Sequence, residues 1–82
     1  MLLLTREDCP LCDEFQEELA HEFPRLAEVV VIADVDSRED WRRDYGCRIP
    51  VLLDPTGRVW SEGRLDVPAV ARELENANPA GI

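Results

Sequence analysis

The stretch Asp8-Cys9-Pro10-Leu11-Cys12-Asp13-Glu14 sets two thiols two residues apart, with a proline between them and carboxylates on both flanks. Sulfurs at this spacing can supply half of a tetrahedral zinc site, can open and close as a redox disulfide, or can serve as two small apolar side chains in a core. Structural zinc wants four ligands, and the chain adds only Cys47 and His21. His21 stands amid Glu18 and Glu22 at the end of a helical pattern and reads as a solvated surface residue. Cys47 follows a glycine that ends a helix and is expected to pack in the core. No metal site and no cofactor is therefore expected, although a metal or iron–sulfur site stays open as an alternative.

Compartment bears on the choice between these chemistries. The opening Met1-Leu2-Leu3-Leu4 is apolar, but Arg6, Glu7 and Asp8 cut it short of a signal peptide's apolar region or a membrane span. This places the protein in the cytoplasm, where a lasting structural disulfide is disfavoured and closely spaced cysteines are more often catalytic or metal-bound. At 82 residues the chain is expected to be a single domain, 1–82, with 77–82 a loosely ordered tail. Nine basic against eighteen acidic residues leave a net charge of −9, which repels phosphate backbones and anionic lipid. Nucleic acid and membrane are excluded as partners on that ground, and a monomer is expected.

The thiols have to be positioned by the elements around them. Leu2-Leu3-Leu4 and Glu28-Val29-Val30-Val31-Ile32-Ala33 read as central strands of a parallel sheet, the second buried on both faces. Between them Cys12, Phe15, Leu19 and Phe23 recur at helical spacing, and Pro24 ends that helix. Ser37 can cap a second helix whose Trp41 and Tyr45 pack it to the sheet, with Gly46 as its stop. A strand Pro50-Val51-Leu52-Leu53 follows, then the turn Asp54-Pro55-Thr56-Gly57 and an antiparallel return through Arg58-Val59-Trp60-Ser61, where either Val59 or Trp60 faces outward. Asp66 or Val67 begins a last helix with Val70, Ala71 and Leu74 on its apolar face. The order is β-α-β-α-β-β-α, an α/β fold with a four-stranded mixed sheet and helices on both faces.

In this order Cys9 falls at the cap of the first helix and Pro10 at its first position. The unpaired N–H groups of the first turn and the positive helix end then favour thiolate over thiol at Cys9, while Glu7, Asp8, Asp13 and Glu14 oppose them. Cys12 shares the face of Phe15 and Leu19 and points to the core. One sulfur that reaches out and one that stays in is the asymmetry disulfide exchange needs: Cys9 attacks a substrate disulfide, and Cys12 resolves the mixed disulfide.

The chain resembles the thioredoxin-like superfamily and, within it, a glutaredoxin-like protein. The resemblance is carried by Cys9-Pro10-Leu11-Cys12 between strand and helix, and by Ile49-Pro50 opening the third strand after Tyr45-Gly46. It implies a thioredoxin-like fold, a cis peptide bond before Pro50, and Pro50 beside the two cysteines as part of the catalytic set. It implies substrate-binding positions at Arg6, three residues before Cys9, and at Leu11, Ile49 and Asp66. It also implies disulfide-containing protein or small-molecule substrates, with glutathione or a disulfide reductase as the electron donor. Leu11 stands where the family has an aromatic residue, and Glu62 stands where it has the first of two glycines. Glutathione is accordingly expected to be a weak partner, with Arg6 and Arg48 as the available countercharge. A non-catalytic binding module of the same fold is the other alternative.

Overall fold

The structure, a computed structural model, describes residues 1–77, so the expected tail lies outside the described residues from position 78 onward. Its elements in chain order are β1 (Leu2–Thr5), α1 (Pro10–Glu22), α2 (Pro24–Val29), β2 (Val31–Asp34), a 3-10 turn (Val35–Ser37), α3 (Glu39–Tyr45), β3 (Val51–Leu53), β4 (Val59–Glu62) and α4 (Val67–Ala77). Ala77 thus belongs to the last helix.

The four strands form one mixed sheet in the order β2-β1-β3-β4. β1 runs parallel to β2, with Leu3 opposite Ile32, and antiparallel to β3, with Leu3 opposite Leu52. β3 pairs antiparallel with β4, Leu52 opposite Ser61. Alternation along the strands feeds two cores. Leu3 and Leu52 join Phe15, Leu19, Leu26, Trp60 and Val70 on the face covered by α1, α2 and α4. Leu4, Val51 and Leu53 join Val35 on the other face, where Trp41, Tyr45, Ile49 and Val59 pack against them. Helices therefore lie on both faces, and Trp60 is the buried member of its pair with Val59.

Three local expectations are corrected. Pro24 does not hand the chain to a strand; it opens α2 at the first helical position, where its missing N–H would have had no partner in any case. Glu28 and Val29 are therefore helical, and β2 begins only at Val31. β2 is also an edge strand rather than a central one, with Val31 62% and Ile32 51% exposed. Its β-branched run therefore does not mark burial on both faces. Finally, Ser37 does not cap α3. The Asp34 carboxylate accepts the Asp36 N–H at 2.8 Å and the Ser37 hydroxyl donates to the Asp34 carbonyl at 2.7 Å, which winds a 3-10 turn first and leaves Arg38 at the cap.

The β3–β4 turn has the expected chemistry. The Asp54 carboxylate accepts N–H groups of Thr56 at 2.8 Å and Arg58 at 3.0 Å, and the Trp60 indole N–H at 3.0 Å. Gly57 takes φ 89°, a left-handed conformation costly for residues with a Cβ. Gly46 stops α3 differently: at φ −55° it is right-handed, and a Cβ there would collide with the Arg42 carbonyl, so close approach is what requires glycine.

Candidate active site

β1 ends at Thr5, and Arg6-Glu7-Asp8 turns the chain into α1, with Asp8 in the left-handed region at φ 55°. Aspartate is among the few residues with a Cβ that visit this conformation readily. Cys9 caps α1 with extended backbone, φ −112° and ψ 97°, and Pro10 follows at the first helical position. The Cys12 N–H points at the Cys9 Sγ, 3.1 Å away, and is shared with the Cys9 carbonyl. The two cysteines are joined as a disulfide, their Cα atoms 5.2 Å apart. Cys9 is half-buried, whereas Cys12, seated with Phe15 and Leu19 on the inner face of α1, is 1% exposed. Leu11, between them in the sequence, is 42% exposed. The asymmetry expected from helical register is therefore present.

The second strand of the site comes from the far half of the chain. The register that pairs Leu4 with Val51 brings the start of β3 to the end of the sheet where β1 runs out toward Cys9. There Pro50 is buried, its bond to Ile49 is cis, and Ile49 is half-buried against the α3-side core. The Gly63 N–H donates to the Pro50 carbonyl at 2.8 Å, so the turn after β4 is tied to the same place. Asp66 lies beyond that turn and is occupied as a helix cap: its carboxylate accepts the Ala69 N–H at 3.1 Å, and its own N–H donates to the Ser61 hydroxyl at 3.0 Å.

The two arginines expected to offer countercharge are both engaged internally. Arg6 grips the Asp36 carboxylate through Nε at 2.7 Å and Nη2 at 2.9 Å, and donates to the Gly46 carbonyl at 3.1 Å. The hydrogen bond to Asp36 raises the pKa of Arg6 above its ordinary value and holds the Asp36 carboxyl below its own. The bond to Gly46 ties the loop before Cys9 to the loop before Pro50. Arg48 grips Glu62 through Nε at 2.7 Å and Nη2 at 3.1 Å, donates to the Asp44 carbonyl at 3.3 Å, and lies over the Tyr45 ring at 5.1 Å. The hydrogen bond from Arg48 holds the Glu62 carboxyl below its usual range.

The sequence singled out Arg6, Arg48 and Glu62 but not these pairings; it offered Tyr45 as a packing residue without its contact to Arg48, and Asp36 was missed altogether. Partners 30 and 14 positions apart leave no local signal. Cys47 is a further correction: it is exposed, not in the core. The Arg48 N–H closes a turn onto the Tyr45 carbonyl at 2.8 Å, and this turn carries Cys47 over the surface before β3 begins. Among the described residues, no three His, Cys, Asp or Glu side chains converge as a metal-binding group, and no helix is long and apolar enough to cross a membrane.

A mixed four-stranded sheet with helices on both faces, and a Cys-X-X-Cys pair where the first strand hands over to the first helix, define a thioredoxin-like protein. The model of the glutaredoxin-like domain family (DUF836) matches residues 1–75, and the chain belongs to that family. Among solved structures it is similar to the X-ray structure of the structural-genomics target protein XcR50 from X. campestris, with 33% sequence identity and a TM-score of 0.72. That match covers 92% of this chain and 95% of the other. No curated protein matches the chain.

Proposed function

We propose that this protein is a thiol-disulfide oxidoreductase in which Cys9 is the nucleophile and Cys12 the resolving thiol. The observation that carries the reading is the pairing of a half-buried Cys9 at the cap of α1 with a Cys12 that is 1% exposed and within disulfide reach. In the reduced protein the first-turn N–H groups and the positive end of α1 favour thiolate at Cys9, the form that attacks. Cys12 reaches only inward and back to Cys9, so it can act on a mixed disulfide but is closed to a substrate. Pro50, buried at the same end of the sheet, is read as the wall against which a substrate sulfur is presented. Membership of a glutaredoxin-like family supports redox partners in general: a disulfide in a protein or small molecule on one side, and glutathione or a reductase on the other.

The test is a pair of substitutions. Cys12→Ser should let Cys9 attack and leave the mixed disulfide unresolved, so that an adduct of the substrate's mass accumulates; Cys9→Ser should abolish exchange. A Cys12→Ser protein that traps nothing, together with an active Cys9→Ser protein, would place the nucleophile elsewhere.

A further inference from the structure

The end of the sheet that holds the dithiol is unevenly charged. Glu7, Asp8, Asp13 and Glu14 surround Cys9 and Cys12, are exposed, and form no ion pair among the described residues. Two of the guanidinium groups at the same end, Arg6 and Arg48, are spent on Asp36 and Glu62, whereas Arg64, just past Gly63, is exposed and forms no ion pair among the described residues. The second pair sits closest to the substrate face read above. Arg48 lies two residues before Pro50, Glu62 is opposite Val51 in the β3–β4 register, and Gly63 is bonded to the Pro50 carbonyl, so the ion pair brackets the start of β3. A guanidinium held at two points by one carboxylate and stacked on Tyr45 has little left to offer an incoming anion.

We propose that Glu62 sets the charge preference of the dithiol: by holding Arg48, the guanidinium two residues before Pro50, it withholds a countercharge from an anionic disulfide, so the site takes cationic and neutral disulfides ahead of glutathione disulfide. This rests on the redox reading above. The reaction is the ordinary exchange. The Cys9 thiolate attacks one sulfur of the disulfide RSSR, breaks its S–S bond and expels one thiolate RS⁻. The Cys12 thiolate then attacks Cys9 Sγ, closes the internal disulfide and expels the second RS⁻. Two electrons pass from the dithiol to RSSR, and the two protons of the original thiols end on the two RSH products. Charge on R does not enter this balance. It enters the encounter and the mixed disulfide, where R must lie against the Arg48–Glu62 bracket.

The experiment uses the reduced full chain and three small disulfides of different charge: glutathione disulfide (anionic), 2-hydroxyethyl disulfide (neutral) and cystamine (cationic). Oxidation of the dithiol is followed by alkylation and mass, and each rate is divided by that of neutral dithiothreitol with the same disulfide to remove intrinsic reactivity. At low salt the normalised rates should fall in the order cystamine, 2-hydroxyethyl disulfide, glutathione disulfide. Glu62→Gln should raise the ratio of glutathione-disulfide to hydroxyethyl-disulfide rates by about two- to five-fold, the range expected of one exposed charge. Arg48→Gln, which frees Glu62, should lower that ratio. Glu73→Gln is the control: it removes the same charge and frees Arg58, whose pairing with Glu73 starts next to the β3–β4 turn, at the opposite end of the sheet, and the ratio should stay put. Charge-blind wild-type rates, no response to Glu62→Gln, or an equal response to Glu73→Gln would each overturn the assignment to Glu62 while leaving the redox reading intact. If none of the three disulfides oxidises the dithiol, both readings fall.

Discussion

Cys9 and Cys12 lie one helical turn apart, and the helix gives them different surroundings. One sulfur receives an N–H at the cap, and the other is packed with Phe15 and Leu19. A residue can also be committed entirely to structure, as Asp54 is. The hydroxyl of Thr56 and the N–H groups of Arg58, Trp60 and Thr56 all donate to it, and they lower its pKa to about 2 from 3.8. Because the folded value lies below the unfolded one, Asp54 stabilises the fold above the unfolded value and loses that contribution as pH falls through the folded value. Asp54→Asn should therefore lower Tm at pH 7, and the gap to the parent protein should narrow as pH falls from about 4 toward about 2. A gap that stays constant across that range would mean that the charge of Asp54 does not matter to the turn.

At the scale of elements, the sheet order decides which apolar residues count. Leu3 on β1 has strands on both sides and α1 above it, while Val31 on β2 has a neighbour on one side only. The two residues look alike in the sequence. Leu3→Ala should cost about 2–5 kcal/mol, the transfer loss plus an unfilled cavity. Val31→Thr keeps the β-branch on an exposed edge and should cost no more than about 0.5 kcal/mol. Urea midpoints at equal slope would measure both. Comparable costs at the two sites would show that β2 is covered.

At the scale of the whole molecule, charge works against compactness. A net −9 on 82 residues repels itself, while four of the five arginine–carboxylate pairs among the described residues are exposed on both partners and contribute little. Raising salt from about 0.01 M to about 0.1 M shortens the screening length from about 30 Å to about 10 Å, which relieves the long-range repulsion more than it weakens contacts near 3 Å. Tm followed by circular dichroism should rise over that interval. A fall would show that the ion pairs, Arg6–Asp36 and Arg48–Glu62 among them, outweigh the net charge.

The sequence by itself determined what local spacing and backbone chemistry control: the helix that starts at Pro10, the cap at Cys9, the inward face of Cys12, Phe15 and Leu19, the Asp54–Gly57 turn and the start of the last helix beyond Asp66. Each depends on neighbours within about one turn of helix or one tight turn, so the signal lies within a few residues. Strand order, and with it the edge position of β2, was decided only by the tertiary structure, because a β-branched run looks the same at the centre of a sheet and at its edge. So were the second helix that Pro24 opens, the exposure of Cys47, and the partners of the two arginines. Arg6 meets Asp36 and Arg48 meets Glu62 across 30 and 14 residues, distances that the chain closes only when β1 lies beside β2 and β3 beside β4.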